Sequence, residues 1–119
     1  LLVHQELSDD TLIGCELVPT GIKVQMNDDE VLKIFSRSSL ATKKNIQLAN
    51  STSIIDADYY NNEKNEGHIY VPLINLGNIP IVIKKGERIA QGIFEKYLVT
   101  DNDNATGKRE GGLGSTGTN

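Results

Sequence analysis

The chain has 119 residues, of which 38% are hydrophobic, with no Trp and two Phe. This length suits one domain with a modest core and is too short for two, so we expect some apolar surface to be buried between subunits. A formal net charge of −4 argues against a general nucleic-acid-binding protein, which would be basic. The sequence also lacks an apolar run long enough for a membrane span and a signal-peptide pattern. We therefore expect neither a nucleic acid nor a membrane as a partner.

Cys15 is the single cysteine, so an internal disulfide is impossible. This fits a reducing compartment, and we predict a cytoplasmic protein. The chain begins Leu1-Leu2 rather than with Met, so we expect the natural start to lie upstream.

Strand patterns dominate the first half of the chain. "CELVPTGIKVQM" predicts two strands joined at residues 19–21. In the second strand the apolar residues Ile22, Val24 and Met26 alternate with Gly21, Lys23 and Gln25. "VLKIF" (31–35) predicts a short strand. "NIQLANSTSIID" (45–56) predicts a hairpin that turns at residues 50–52.

The second half continues this pattern. "HIYVPLINLG" (68–77) and "IPIVIKKG" (79–86) predict strands, and Pro72 and Pro80 predict that these lie at an edge or a bulge. "ERIAQGIFEKYLVT" (87–100) fits both helical and alternating spacing, but Gly92 weakens a helix, so we predict a strand. "SRSSLATKK", "DYYNNEKNEG" and "TDNDNATGKREGG" read as polar loops. Many short strands without a convincing helix predict an all-β, jelly-roll-like antiparallel sandwich.

Two segments carry residues suited to phosphate chemistry. In "SRSSLA", Arg37 is flanked by hydroxyls, and a guanidinium fork with short hydroxyl bonds suits a phosphate; an ordinary polar turn is the alternative. In "KKGERIAQ", Arg88 lies in an otherwise apolar strand, so it needs a structural carboxylate or a bound phosphate as partner.

"SIIDADYY" is a candidate catalytic segment. Asp56 and Asp58 are two apart, so on a strand they would share a face. Asp56 follows two Ile residues, and a partly desolvated carboxylate suits a general base that takes a proton from water. Tyr59 offers a flat ring for a sugar. The alternative is a strand end with a solvated Asp pair.

The tail "KREGGLGSTG" could approach an anion closely through its glycines, with hydroxyls from Ser115 and Thr116. It lacks the Lys-Ser/Thr ending of a P-loop. A flexible terminus is the alternative.

In this order, "SRSSLA", "SIIDADYY", "GERIAQ" and "REGGLGSTG" resemble the second to fifth motifs of the trimeric dUTP pyrophosphatase (dUTPase) family. "LVPTGIKV" resembles the segment between that family's first and second motifs, and "DYYNNEKNEGHI" is similar to a bacterial or phage branch. The resemblance implies hydrolysis of dUTP to dUMP and pyrophosphate, with Mg²⁺ on the triphosphate. It also implies a homotrimeric jelly roll over residues 1–104, with active sites at subunit boundaries and a flexible lid over residues 105–119.

The resemblance implies a role for each matching residue. Asp56 matches the Asp that activates the attacking water, and Tyr59 the Tyr that packs under the deoxyribose and excludes a 2′-hydroxyl. Asn50 and the backbone that follows it, including Ile55, match the segment that binds uracil. The implied phosphate and lid residues are Arg37, Ser38, Ser39, Gln91, Arg109, Leu113, Gly114, Ser115 and Thr116.

The sequence departs from the family pattern at several positions. The first motif, a Gly-Tyr-Asp-Leu type sequence, is not found intact and should fall at or before Leu1, so we assign no metal ligand within the chain. Ser36 stands where the family often has Pro or Gly, and Ser53 where it often has Gly. Leu113 replaces the usual Phe over uracil. We expect a weaker lid, and Leu113→Phe tests this through kcat/KM.

Two other functions stay open. A dCTP deaminase shares the fold and an "RSSLA"-like motif, but its branch shows Asp-Pro-Gly where this chain has Asp56-Ala57-Asp58-Tyr59, and it lacks the tail. The absent first motif and Leu113 also leave room for a non-catalytic nucleotide-binding or regulatory module.

Overall fold

The computed structural model describes residues 1–6 and 9–100. Within them lie nine strands, one short α-helix and one turn of 3₁₀ helix. In chain order the elements are β1 (Leu2–His4), β2 (Asp10–Leu12), β3 (Cys15–Pro19), β4 (Glu30–Ser36), α1 (Ser38–Lys44), β5 (Ile46–Leu48), β6 (Thr52–Asp56), the 3₁₀ helix (Ala57–Tyr59), β7 (Tyr70–Asn75), β8 (Ile81–Ile83) and β9 (Arg88–Lys96).

The strands form three antiparallel sheets. A four-stranded sheet has the order β1-β9-β4-β6, a three-stranded sheet the order β3-β7-β5, and β2 pairs with β8. The prediction of an all-β, jelly-roll-like antiparallel fold is confirmed. β1 and β2, each three residues long, were not predicted.

One core joins the sheets. Period-two alternation places Leu32 and Ile34 of β4 inside, fully buried, with half-exposed Lys33 between them. Each of the nine strands contributes at least one buried apolar residue to the same cluster. Burying one such side chain is worth about 1.5–3 kcal/mol, so the sheets are held together mainly by this shared interior.

The predicted strand at residues 22–26 is wrong, although its alternation is real. Ile22, Val24 and Met26 pack against the core, while Lys23 and Gln25 between them are exposed. The segment is not part of a strand ladder among the described residues. Its backbone is tied at one end, where Ile69 N donates to Ile22 O at 2.9 Å.

The predicted hairpin at residues 45–56 is also wrong. Both strands exist, but β5 pairs with β7 and β6 pairs with β4. The turn between them therefore carries the chain from one sheet to another. A sequence that alternates on both sides of a turn does not reveal which distant strand each side will meet.

The predicted loop "SRSSLATKK" contains helix α1, which buries Leu40. The helix ends at Asn45 in the left-handed region, with φ 58°, and its last turn carries Lys43 and Lys44. Cations at this end are favoured by the helix dipole. A single buried residue in seven leaves too little periodicity for the helix to be predicted.

The proline predictions divide. Pro80 directly precedes β8, as a proline at the start of a strand should. Pro72 instead lies in the central strand β7, opposite Leu17 of β3, so its predicted edge or bulge is wrong. Its carbonyl accepts from Ala49 N at 2.8 Å, just beyond the last β5–β7 pair at Leu48. The Pro72 nitrogen, which has no N–H to donate, therefore faces the β5 side of the strand, just past the end of the β5–β7 ladder.

Candidate active site

Arg37 lies between β4 and α1 with an extended backbone, φ −82° and ψ 131°. Its guanidinium donates to Arg88 O at 3.4 Å, and Gln91 Nε2 donates to Ser36 O at 3.1 Å. The β4–β9 register, which pairs Phe35 with Gln91, brings these two segments side by side. Two of the predicted phosphate-contacting residues, Arg37 and Gln91, thus lie at the same end of the four-stranded sheet.

Arg88 does not need the buried partner that its sequence context suggested. It is the first residue of β9 and is exposed. Ser38 and Ser39 open helix α1, the first exposed and the second half-buried. Both serines directly follow Arg37 in the sequence and lie at the same end of the sheet.

Asn50 lies in the turn between β5 and β6. Its Nδ2 donates to Ser53 Oγ at 3.0 Å, and Thr52 N donates to Asn50 O at 2.7 Å. Ser51 takes a positive φ of 68°, so the turn is tight. Because Thr52 is opposite Phe35 of β4, Asn50 lies at the Arg37 end.

Asp56 is the last residue of β6 and is half-buried. Ile55 beside it is 8% exposed and belongs to the core, so alternation turns Asp56 to the outer face of the sheet. Asp58 lies in the 3₁₀ helix and is exposed. The prediction that both aspartates share a strand face is wrong, because the strand ends at Asp56.

Tyr59 is 6% exposed and forms part of the core. Its hydroxyl donates to His68 O at 2.6 Å and accepts from Asn65 Nδ2 at 2.9 Å. Both partners come from the loop that follows the 3₁₀ helix. Sequence reasoning named Tyr59 but missed Asn62 and Asn65, whose only signal was the density of Asn in "NNEKNEG".

The structure separates Asp56 from Arg37. Asp56 is opposite Val31, and Arg37 follows Val31 by six residues along extended chain, a span of about 20 Å at 3.3 Å per residue. The guanidinium donates to Arg88 O, beyond the last β4–β9 pair and away from Asp56. One copy of the chain therefore does not bring the two side chains together.

A polar cleft of about 290 Å³ lies beside the loop of residues 60–69, which follows the 3₁₀ helix. Asn65, Glu66 and His68 line one side, and Glu6 and Lys23 are among the other lining residues. His68 Nε2 accepts from Gly21 N at 3.0 Å and lies 3.8 Å from Glu6 Oε2. The cleft contains none of the predicted site residues.

One carboxyl group away from the predicted site is electrostatically unusual. A hydrogen bond with Asp10, then burial, then the charge of Asp10 raise the pKa of Glu16 above its ordinary value. Glu16 Oε2 is fully shielded from solvent. Both observations favour the protonated form of Glu16 in the folded chain.

Arg109, Leu113, Gly114, Ser115 and Thr116 lie outside the described residues. Within residues 1–6 and 9–100, no group of three or more His, Cys, Asp or Glu side chains could hold a metal ion. In the same part of the chain, no helix has the length and apolarity to cross a membrane.

Comparisons with known proteins agree with this fold and these motifs. The family model described as dUTPase matches residues 10–117. The deoxyuridine 5'-triphosphate nucleotidohydrolase of Lactococcus lactis is 48% identical over 104 residues, covering 86% of this chain and 69% of the relative. The enzyme of the same name from Rickettsia prowazekii is 44% identical and covers 98% and 79%.

Solved structures give the same answer. A crystal structure of dUTPase from Streptococcus mutans matches with a TM-score of 0.78 and 42% identity, covering 85% of this chain and 79% of that one. The chain belongs to the dUTPase family.

Proposed function

We propose that this chain hydrolyses dUTP to dUMP and pyrophosphate. The observation that carries the proposal is the position of Asp56, half-buried at a strand end, three residues before a tyrosine whose hydroxyl is held by two hydrogen bonds. The Lactococcus lactis relative, 48% identical, is named a deoxyuridine 5'-triphosphate nucleotidohydrolase. A nearby carboxylate base and a rigid aromatic wall are what water activation beside a sugar requires.

In the proposed reaction Asp56 accepts a proton from a water molecule. The water oxygen attacks the α-phosphorus in line with the bridging oxygen to the β-phosphate, and that P–O bond breaks as the new one forms. The products are dUMP and pyrophosphate. The half-buried setting of Asp56 supports this role, because fewer water molecules compete for the carboxylate at the moment of proton transfer.

Substrate binding is divided among the other predicted residues. Arg37, Ser38, Ser39 and Gln91 bind phosphate oxygens; of these, Arg37 contributes a rigid fork of donors. Asn50 and the backbone up to Ile55 read uracil, and Tyr59 packs under the deoxyribose. In the tail, Leu113 covers the base, and the phosphate-closing residues are Arg109, Gly114, Ser115 and Thr116.

Magnesium fits this scheme as a companion of the substrate. Mg²⁺ usually binds through substrate phosphates with only one or two protein carboxylates, and the described residues offer no set of three that would hold it alone. Bound to the triphosphate, the ion would neutralise part of its negative charge. Arg37 and Arg109 supply the remaining positive charge from this chain.

The active unit in this proposal is an assembly of identical chains, three according to the family resemblance. Lys33 pairs with Ile54 on one side and Ile93 on the other, so the three side chains share the outer face that Asp56 also occupies. Ile54 is 56% exposed and Ile93 49%, an apolar surface suited to burial against another copy. Covering this face brings a second copy close to Asp56, where the Arg37 of the same chain does not reach.

Cytoplasmic location is proposed on the single cysteine, which fits a reducing compartment.

Pyrophosphate release from dUTP with magnesium tests the proposed function. We expect turnover by the parent chain and a loss of about 10²–10⁴-fold in Asp56→Asn, the usual contribution of a general base. Asp58→Asn is the matched control, because Asp58 is exposed and two residues away. A parent as inactive as Asp56→Asn would point to a non-catalytic module, and ammonia release from dCTP would point to a deaminase.

A further inference from the structure

We propose that Asn65, held in place by Asn62, is a positioning residue for Tyr59 and thereby sets the discrimination between dUTP and UTP. This inference rests on the proposed function, in which Tyr59 faces the sugar. The deoxyribose of dUTP and the ribose of UTP differ by one hydroxyl at the 2′ carbon. Asn65 acts through Tyr59 and does not itself contact the nucleotide.

The hydroxyl of Tyr59 is held by two hydrogen bonds of opposite direction. It donates to His68 O at 2.6 Å and accepts from Asn65 Nδ2 at 2.9 Å. Rotation about χ1 would carry the hydroxyl away from both partners and drive the ring, which is 6% exposed, against the core. Rotation about χ2 leaves the hydroxyl oxygen in place, because that atom lies on the χ2 axis. The position of the ring is therefore fixed at its far end as well as at its backbone.

Asn65 is itself held by Asn62, which is 6% exposed. Asn62 Nδ2 donates to Asn65 Oδ1 at 2.7 Å and to Tyr59 O at 2.8 Å. Asn62 Oδ1 accepts from the backbone N–H groups of Lys64 and Asn65, at 3.0 and 3.1 Å. One buried amide thus connects the loop backbone, the Asn65 side chain and the Tyr59 backbone.

The loop also packs directly on the backbone around Tyr59. A Cβ at Gly67 would lie 3.0 Å from Tyr59 O and 2.9 Å from Asn61 N. Gly67 N donates to Asn65 Oδ1 at 3.1 Å, so both atoms of the Asn65 amide group that can form hydrogen bonds are used. The close approach leaves no room for the loop to slide past Tyr59.

Rigidity of this kind matters for rejecting a substrate that carries one additional oxygen atom. The Tyr59 ring excludes a 2′-hydroxyl only when displacing the ring costs more free energy than binding of the hydroxyl-bearing sugar gains. An unrestrained ring could tilt away by about 30° for roughly 0.5–1.5 kcal/mol, which would leave weak discrimination. A tilt about χ1 moves the hydroxyl, so the bonds to Asn65 and His68 add the cost of unpaired buried groups to it.

The test compares kcat/KM for UTP and dUTP in the full chain with magnesium. Asn65→Leu keeps the size of the side chain and removes its donor to Tyr59. We expect the UTP/dUTP ratio to rise by about threefold to tenfold, the range that one hydrogen bond is worth. Because both substrates are measured on one preparation, partial misfolding lowers both values and leaves their ratio unchanged. Lys64→Ala, an exposed position of the same loop, should leave the ratio at the parent value.

Tyr59→Phe removes the bond from Asn65 together with the donation to His68 O, and it separates positioning of the ring from collapse of the loop. We expect it to raise the ratio by at least the same factor, and Asn65→Leu to add nothing further in the Tyr59→Phe background. An unchanged ratio in either single variant overturns the proposal, as does an equal added effect of Asn65→Leu in both backgrounds. A parent chain that does not hydrolyse dUTP would instead refute the proposed function itself.

Discussion

The two ends of the four-stranded sheet are built in different ways. At the Arg37 end, the candidate site residues Arg37, Asn50 and Gln91 are half-buried or exposed, and the Arg37 guanidinium makes a long 3.4 Å bond to Arg88 O. At the Asp56 end, Tyr59 is 6% exposed and its hydroxyl makes bonds of 2.6 and 2.9 Å. Loosely held hydrogen-bond donors can adjust to a flexible, charged triphosphate. Rejection of one sugar hydroxyl instead requires a side chain held in a fixed position. The difference suits the two parts of a nucleotide.

Removing the charge of Arg37, at the loosely held end, should have a large effect on activity. We expect Arg37→Ala to lower kcat/KM for dUTP by about 10²–10³-fold, as for loss of one preorganised donor, without a measurable change in thermal stability. Arg37→Lys should recover only part of the activity, since an ammonium lacks the planar fork. Steady-state kinetics and a melting curve check both statements.

Lys43→Ala is the matched control, an exposed cation on the adjoining helix. Equal losses in Arg37→Ala and Lys43→Ala would show that only general positive charge matters. A large drop in melting temperature for Arg37→Ala would mean that Arg37 is structural and would remove the contrast between the two ends.

At the tightly held end, Gly67→Ala should act on stability. Gly67 has φ +93°, and a Cβ there would meet three backbone atoms at 2.9–3.0 Å. We expect a loss of about 2–4 kcal/mol in the free energy of unfolding, from the backbone strain and the clash together. Urea unfolding at a fixed protein concentration measures this, because the proposed subunit association would make stability concentration-dependent.

Gly86→Ala separates the two causes. Gly86 has φ +81°, but a Cβ there would meet nothing within 4 Å. We expect it to lose only about 1 kcal/mol, the part due to positive φ. Equal losses in both variants would show that the close packing of the loop on Tyr59 contributes nothing to stability.

The smallest predicted effect lies away from both ends, at Glu16. Its pKa is raised in the folded chain, so its contribution to stability is full below the ordinary glutamate value and is lost as the pH rises through the raised value. Glu16→Gln should therefore be more stable than the parent at neutral pH. The difference should shrink as the pH falls, with kcat/KM for dUTP unchanged.

Thermal melts of Glu16→Gln and the parent between acidic and neutral pH give this comparison. Glu63→Gln, a change at an exposed position, is the control and should show no such pH dependence. A Glu16→Gln variant that is less stable than the parent at neutral pH would contradict the direction of the pKa shift.

Local patterns in the sequence predicted most individual strands. The alternation in 31–35 and 87–100 corresponds to β4 and β9, and "HIYVPLINLG" contains β7. The same alternation could not show that β5 and β6 belong to different sheets, because pairing depends on distant segments. Helix α1 was missed because it buries only Leu40.

The sequence motifs named candidate site residues but did not predict how those residues are arranged in space. Asp56 and Arg37 could be named from their motifs, but their separation follows from the pairing of Asp56 with Val31. The network of Asn62 and Asn65 was hidden in a segment that reads as an ordinary polar loop. Side-chain hydrogen bonds within a loop produce no periodic pattern in the sequence, so they are seen only in the three-dimensional structure.

Mixing two inactive variants tests most directly whether the site is shared between copies. Asp56→Asn and Arg37→Ala chains are denatured together in equal amounts and refolded, with each refolded alone as control. If each site takes Asp56 from one copy and Arg37 from another, random assortment restores about a quarter of the parent activity. If both residues act within one chain, every site keeps a defect, and the mixture stays as inactive as the variants alone.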